Sequence, residues 1–150
     1  METRSAIIRT LGISDADIVD AQWADNGPGW IAVLLSDAEA VLRISAEPTG
    51  SLKLGVVGAY PPGSECDLEV RAFFPSATGV LFEDPVTGSL NASVAQCLLG
   101  SGRIAAPYVA SQGTVLGRAG RVHVTQDGET IRIGGDVVTC VAGTIEIGRC

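Results

Sequence analysis

The sequence is short of histidine and of basic residues. Its 150 residues include one histidine, and ten Lys or Arg residues against 17 Asp or Glu residues, so the formal net charge is −7 at pH 7. Binding to nucleic acid requires a clustered Lys/Arg surface that neutralises phosphates. The densest basic group is the pair Arg118 and Arg121 within one turn. We therefore expect no nucleic-acid partner.

The spacing of a metal site is also missing. None of the four cysteines forms a CxxC pair, and His123 is the one histidine that could assist them, so no metal site is predicted. Cys97 lies in an apolar helical stretch and Cys140 in a Val-rich stretch, and both are predicted to be buried free thiols. We interpret His123, in "RVHV", as an exposed or packed strand residue rather than a catalyst.

Long hydrophobic runs are absent from the sequence. A transmembrane helix needs about 18 or more consecutive apolar residues, and the chain contains no such run, so no membrane partner is expected. The opening stretch, "METRSAIIRT", lacks the apolar core and the small-residue cleavage site of a signal peptide. With its unpaired cysteines, the chain is predicted to be a cytoplasmic protein with reduced thiols.

The chain has enough apolar residues to build one core. Hydrophobic residues make up 46% of it and charged residues 18%, which is typical of a folded domain of this length. Residues 1–150 are therefore predicted to form a single domain. No repeat or linker divides them.

The hydrophobic period changes along the chain and predicts the elements. A short helix capped by Ser14 is predicted at 12–22. The "DNGPG" stretch at 25–29 predicts a turn. Alternation at 66–74 predicts a strand with one exposed, charged face. Further elements are predicted as strands at 30–36, 53–60, 111–117, 120–128, 130–135 and 137–147, and as a helix at 36–44.

One long helix, at 89–99, is apolar on most sides and is therefore predicted to be buried. The last third of the chain consists of predicted strands and turns, and "QDGE" within it is a hairpin signal. This order predicts an α+β fold in which a curved, mostly antiparallel sheet wraps around one central helix.

The stretch before that helix carries the candidate chemistry. Gly88 would let backbone approach a ligand, and the helix N-terminus offers N–H groups that suit a carboxylate. Asp84 can accept a proton or hydrogen-bond an amine or hydroxyl group, and Ser89 can donate or accept a hydrogen bond. The structural alternative is that Asp84, Thr87 and Ser89 only cap the helix. These residue types alone leave both interpretations open.

Four segments resemble the PhzF-like isomerases. "EDPVTGS" at 83–89, followed by an apolar helix, is similar to the signature of this family. The stretch at 21–44 resembles the strand that begins the C-terminal half of its members. The stretches at 111–124 and 133–147 resemble its closing strands.

The resemblance implies a diaminopimelate-epimerase-like fold, in which two lobes each wrap a sheet around a helix and the active site lies between them. Family enzymes need no metal or organic cofactor, and PhzF moves a proton within a small hydroxylated, amino-bearing carboxylic acid. Asp84 matches the aspartate that handles the substrate, and Gly88 and Ser89 match residues that contact it. Related epimerases have a catalytic cysteine where Thr87 stands, which argues against a two-thiol racemase. Asn26 and Gly27 are added as candidate ligand contacts.

The resemblance covers one lobe, and the other lobe carries the family's general acid/base glutamate and a neighbouring histidine. Neither has a counterpart here, and Met1 is expected to stand at the inter-lobe segment. One hypothesis is an isomerase assembled as a homodimer, with its site between two copies. The alternatives are a non-catalytic module that binds a small carboxylate, and a truncated lobe that needs a separate N-terminal partner.

Overall fold

The computed structural model describes residues 2–146 and 148. The three α-helices are α1 (Glu2–Leu11), α2 (Ala38–Leu42) and α3 (Gly88–Gly100), and two short 3-10 turns lie at Asp15–Asp17 and Thr114–Leu116. The strands are β1 (Ile18–Ala24), β2 (Trp30–Leu35), β3 (Leu54–Ala59), β4 (Leu68–Pro75), β5 (Leu81–Asp84), β6 (Tyr108–Gln112), β7 (Gly120–Asp127) and β8 (Thr130–Gly134).

All eight strands belong to one sheet, which is curved and does not close. Its order is β1-β2-β3-β4-β6-β7-β8, with β5 added to β4. The pairs β2–β3 and β4–β6 are parallel, and the other pairs are antiparallel. This confirms the predicted α+β class with a mostly antiparallel sheet.

Strand β4 brings β5 and β6 end to end along one edge. Its first half pairs with β6, where Val70 lies opposite Gln112, and its second half pairs with β5, where Ala72 lies opposite Asp84. The last residues of β5 and β6 therefore meet beside the middle of β4.

Helix α3 packs on one face of the sheet and contacts strands near both of its ends, β8 as well as β1 and β2. The apolar residues between α3 and this face form a first core, in which Leu90, Val94, Ala95 and Leu98 of α3 are buried. The prediction of a buried central helix is confirmed.

Helices α1 and α2 cover part of the opposite face and form a second core. The sequence reasoning did not predict α1, whose Ile7 and Leu11 are buried there. The helix predicted at 12–22 is wrong. Ser14 and Asp17 enclose a single 3-10 turn, in which the Ser14 amide and hydroxyl each donate to the Asp17 carboxylate at 2.7 Å. The chain then enters β1, which pairs along its length with β2.

The predicted exposed face of 66–74 is wrong for two of its three charged residues, because only Asp67 is exposed. Glu69 and Arg71, on that face of β4, are buried. Arg71 lies beneath the end of α2, where its Nη1 donates to the carbonyl oxygens of Val41 and Ile44 at 3.2 and 2.7 Å. A charged residue can occupy a buried strand position when its polar groups find partners.

Two predictions in the last third fail as well. The strand predicted at 111–117 ends at Gln112, and a 3-10 turn at Thr114–Leu116 follows. No helix or strand is assigned to 135–146, so the strand predicted at 137–147 is not formed in the part of it that the structure describes. Cys140 is exposed rather than buried, and Cys97 is partly buried.

Candidate functional site

The residues predicted to form the site lie where β5 runs into α3. Asp84 is the last residue of β5, Thr87 is the N-cap of α3, and Gly88 and Ser89 open the helix. Because β5 is anchored on β4 and α3 is anchored in the first core, the short connection between them has little freedom.

The Thr87 hydroxyl does not cap α3. It donates instead to the Asp84 carboxylate oxygen Oδ2 at 2.5 Å, and no side chain caps the helix. The first intrahelical bond runs from the Asn91 amide to the Thr87 carbonyl oxygen at 3.0 Å. The amides of 88–90 therefore precede the helical hydrogen-bond ladder, as in any uncapped N-terminus. The capping interpretation of this stretch does not describe the arrangement.

A buried amide pair holds Thr87 in place. Gln112, at the end of β6, donates to the Asp84 carbonyl oxygen at 2.9 Å and to the Thr87 hydroxyl at 3.1 Å. Its Oε1 accepts from the Thr87 amide at 3.1 Å and from Asn91 Nδ2 at 2.8 Å. Asn91 Nδ2 also donates to the Thr87 carbonyl oxygen at 2.9 Å. Gln112 and Asn91 thus fix the turn through bonds that are shielded from water.

A pocket of about 230 Å³ opens in front of this turn. It is lined by Trp30, Lys53, Phe74, Asp84 and Thr87. The wall is apolar on two sides, while Asp84 and Lys53 supply one negative and one positive group. Such a mixture of apolar wall and few polar groups is typical of small-molecule sites.

Ser89 is linked to this pocket by a hydrogen bond from the lining residue Trp30. The indole Nε1 of Trp30 donates to Ser89 Oγ at 3.2 Å. Gly88 is exposed, and an added Cβ there would meet no atom within 4 Å. The structure thus brings Asp84, Thr87, Gly88 and Ser89 together on one small surface.

The "DNGPG" turn contacts the pocket residue Lys53 through Pro28 rather than through the predicted Asn26 and Gly27. Lys53 Nζ donates to the Pro28 carbonyl oxygen at 2.9 Å. Asn26 and Gly27 are exposed and do not line the pocket, so their predicted ligand contact stays a prediction.

Sequence reasoning missed Trp30, Lys53, Phe74, Asn91 and Gln112. Two of them carried a usable signal, because Asn91 and Gln112 are amide side chains inside otherwise apolar stretches. The contribution of Lys53 depends on β3 lying beside β2, which no local pattern reveals.

Glu83, the other acid of the turn, faces away from the pocket. Its carboxylate accepts two hydrogen bonds from Arg71, at 2.9 Å from Nε and 2.7 Å from Nη2. The Arg71 guanidinium also lies 4.9 Å from the centre of the Phe73 ring. Adjacent strand residues point to opposite faces, so only Asp84 serves the pocket.

Other polar features lie apart from this turn. A larger pocket of about 520 Å³ lies around Leu98 and Arg103, at the C-terminal end of α3, and shares no lining residue with the Asp84 pocket. His123 is exposed on β7. Among residues 2–146 and 148, no group of three or more His, Cys, Asp or Glu side chains is placed to hold a metal ion. No helix in this part of the chain is long and apolar enough to cross a membrane.

Comparison with known proteins identifies the family. The sequence profile of the phenazine biosynthesis-like proteins (PhzC-PhzF) matches residues 1–143. The chain belongs to this PhzF family. Its curated relatives include an uncharacterized isomerase of Pasteurella multocida, 28% identical over 144 residues, and the uncharacterized isomerase YddE of Salmonella typhimurium, 33% identical over 140 residues.

These alignments cover 90% and 83% of this chain but 47% and 46% of the two relatives. The chain therefore spans about half the length of the curated PhzF-family relatives that it matches.

Solved structures of the family share the fold. A PhzF-family phenazine biosynthesis protein of Bacillus anthracis superposes with a TM-score of 0.67 at 16% identity, covering 87% of this chain and 50% of that one. A PhzF-family protein of Enterococcus faecalis gives 0.64 at 24% identity, covering 87% and 46%. Both likenesses bear on the fold alone.

Proposed function

We propose that this chain binds a small carboxylate-bearing molecule in the Asp84 pocket and contributes to cofactor-independent proton transfer on a small hydroxy or amino carboxylic acid. The observation that carries the proposal is the Thr87 hydroxyl, which bonds Asp84 and leaves the N-terminus of α3 uncapped beside the pocket. Relatives named as isomerases support the reaction class.

Each group of the site has a role in this proposal. The ligand carboxylate binds at Gly88 and Ser89, where backbone amides and the helix dipole favour an anion. Lys53, which also lines the pocket, adds a positive charge. Asp84 binds the amine or hydroxyl group, or accepts the proton that leaves a ligand carbon and returns it to another carbon of the same molecule.

A second acid–base group comes from a second copy of the chain. Asp84 is the one carboxylate that lines the pocket in the part of the chain that the structure describes. The pocket is open. Phe82, whose ring centre lies 6.0 Å from that of the lining residue Phe74, and Val86, next to Thr87 in the sequence, are exposed apolar side chains. A homodimer that apposes two such pockets would bring two Asp84 carboxylates into one cleft.

Two alternatives use the same pocket without this pairing. A non-catalytic module would hold the carboxylate and do no chemistry, and the single carboxylate of the pocket favours this alternative over catalysis by one copy. A lobe that pairs with a separate N-terminal chain would receive its acid–base group from that chain.

In each case the three described cysteines, which are free thiols, support a reducing compartment such as the cytoplasm.

Replacing Asp84 tests the proposal. Small amino and hydroxy acids are titrated into the protein by calorimetry, and turnover is followed as solvent deuterium incorporation into the same acids. We expect Asp84→Ala to weaken binding about 10- to 100-fold, as loss of a charge-assisted hydrogen bond does, and to abolish deuterium incorporation.

The matched control is Asp127→Ala, which removes an exposed carboxylate paired only with Arg132 at 3.4 Å. Its affinity should equal that of the unmodified chain. Unchanged affinity in Asp84→Ala would refute the proposed site. Normal binding without deuterium incorporation in the unmodified chain would favour the non-catalytic module.

A further inference from the structure

The segment 136–146 carries the most exposed apolar side chains of the described residues. Its large aliphatic residues Val137, Val138, Val141 and Ile145 are between 84% and 89% exposed, while Trp23, the next most exposed large hydrophobic residue, is 66% exposed. The rest of the chain that the structure describes has no surface that buries these four side chains.

The same segment has the composition of an interior β-strand. Residues 137–145 contain no charged residue and no proline, and they are rich in β-branched residues, which favour strands. If they form a strand, both faces are mostly apolar, as in strands covered on both sides. One face would present Val137, Thr139, Val141, Gly143 and Ile145, and the other Val138, Cys140, Ala142 and Thr144.

A strand of this kind left in water is a template for association, because its backbone groups and apolar side chains are unpartnered. Strand addition to the edge of another sheet satisfies both needs. The main path of the sheet ends in two terminal strands, β1 and β8, while the short strand β5 lies off this path and pairs with β4 alone.

Strand β1 is the better acceptor of the two. Its sequence, "IVDAQWA", contains no Lys, Arg or Pro, the residues that normally protect an edge. It exposes Val19 and Trp23. Its one charged residue, Asp20, is paired with Arg103 at 3.0 Å. Strand β8, by contrast, carries Arg132, which is largely exposed.

We propose that segment 136–146 is exchanged between two copies of this chain, each copy adding it as a strand to the free edge of β1 in the other. The contact is reciprocal, as the two-fold symmetry of most homodimers requires. Within this segment, residues 137–145 carry no charge, so they add no repulsion of their own between two chains of net charge −7. This proposal specifies the contact that joins the two copies in the homodimer of the proposed function, and it rests on that proposed function for the identity of the partner.

The test is the solution mass measured by light scattering, on the full chain and on three lysine variants. Val141→Lys charges the middle of the donated segment, and Val19→Lys charges the accepting strand. Val115→Lys is the matched control, because Val115 is an exposed valine in a 3-10 turn outside both surfaces. We expect twice the chain mass for the unmodified protein and for Val115→Lys, and the single-chain mass for the other two.

Amide hydrogen exchange on the unmodified protein provides a second measurement that needs no variant. Protection of the amides of 137–145 is expected, together with a circular dichroism spectrum for Val141→Lys that shows an intact fold. A single-chain mass for the unmodified protein, unprotected amides, or a Val141→Lys variant that keeps twice the chain mass would each overturn the proposal. A Val19→Lys variant of double mass would overturn the assignment to β1.

Failure of this inference is distinct from failure of the proposed function. Asp84→Ala weakens ligand binding and leaves the solution mass unchanged if only the site is altered. Conversely, Val141→Lys changes the mass without touching the pocket, so its calorimetric affinity reports the site independently.

Discussion

At the scale of single residues, the family motif separates two neighbouring acids by the alternation of a strand. Glu83 faces the second core and is held by Arg71, whereas Asp84 faces the pocket and is held by Thr87. The motif therefore combines a structural acid with a ligand-facing acid. The sequence alone does not separate the two, because the alternation becomes visible only when 81–84 is known to be the strand β5.

This division predicts opposite phenotypes for the two acids. Glu83→Ala leaves the Arg71 guanidinium charged and without its carboxylate in a site where Arg71 is 5% exposed. Breaking such a buried pair costs about 3–5 kcal/mol of unfolding free energy, which urea denaturation measures. Asp84→Ala removes one hydrogen bond, from the Thr87 hydroxyl to a half-buried carboxylate, so it should lower the same free energy by less, about 1–2 kcal/mol, while it weakens ligand binding. Equal losses of stability in both variants would contradict the division.

At the scale of elements, the start of helix α2 packs closely against β3 at Gly58. An added Cβ at Gly58 would lie 2.2 Å from the carbonyl oxygen of Asp37. Asp37 is the N-cap of α2 and accepts the Ala40 amide at 2.8 Å. The obstructing atom is backbone at the start of a helix, so it cannot move aside without displacing α2.

We therefore expect Gly58→Ala to destabilise the fold by about 1–3 kcal/mol, the usual cost of overpacking. Gly100→Ala is the control, because a Cβ there meets nothing within 4 Å and alanine favours a helix over glycine. Urea denaturation of both variants measures the difference. An unchanged midpoint for Gly58→Ala would show that α2 does not rest on this contact.

The mistaken elements have a common physical origin. The stretch 12–22 contains Ser14, which fits a helix cap, but pairing with β2 places Ile18–Ala24 in the sheet. The stretch 137–147 has strand composition, but a strand needs a neighbour to bond to, and composition does not provide one. In both cases long-range pairing, which a local window does not contain, determined the result.

At the scale of the whole molecule, one sheet separates two cores, and the chain has two tyrosines, of which Tyr60 is half-buried and Tyr108 is buried. Burial raises the pKa of Tyr60 to about 12, and its hydrogen bond to Glu69 at 2.8 Å adds to the effect. Burial likewise raises the pKa of Tyr108 to about 12, with the charge of Asp67 contributing.

These shifts predict an alkaline loss of stability. Below about pH 10, the ordinary tyrosine pKa, both tyrosines are protonated in the folded and the unfolded chain, so they contribute fully to stability. As the pH rises from there toward about 12, the unfolded chain loses these protons first, so the free energy of unfolding falls. The thiols of Cys66 and Cys97, whose pKa values burial also raises, act in the same direction.

Absorbance in the near ultraviolet follows tyrosine ionisation, and urea midpoints at several pH values follow stability. We expect both tyrosines, the only two in the chain, to ionise near pH 12 in the folded protein. The double variant Tyr60→Phe, Tyr108→Phe should lose less stability over this interval. Ionisation of both at about pH 10, the ordinary value, without unfolding would contradict the prediction.

The sequence by itself determined the fold class, the family, the buried helix α3 and the position of the candidate site, because each depends on local signals. The apolar periodicity of 89–99 is local, and so is the motif "EDPVTGS". Only the tertiary structure decided that Glu83 faces away from the pocket and that Gln112 hydrogen-bonds Thr87. It also decided that Lys53 lines the pocket and that the apolar side chains of 136–146 are not buried by the rest of the described chain. Those outcomes depend on which strands lie side by side, and strand pairing joins residues that are far apart in sequence.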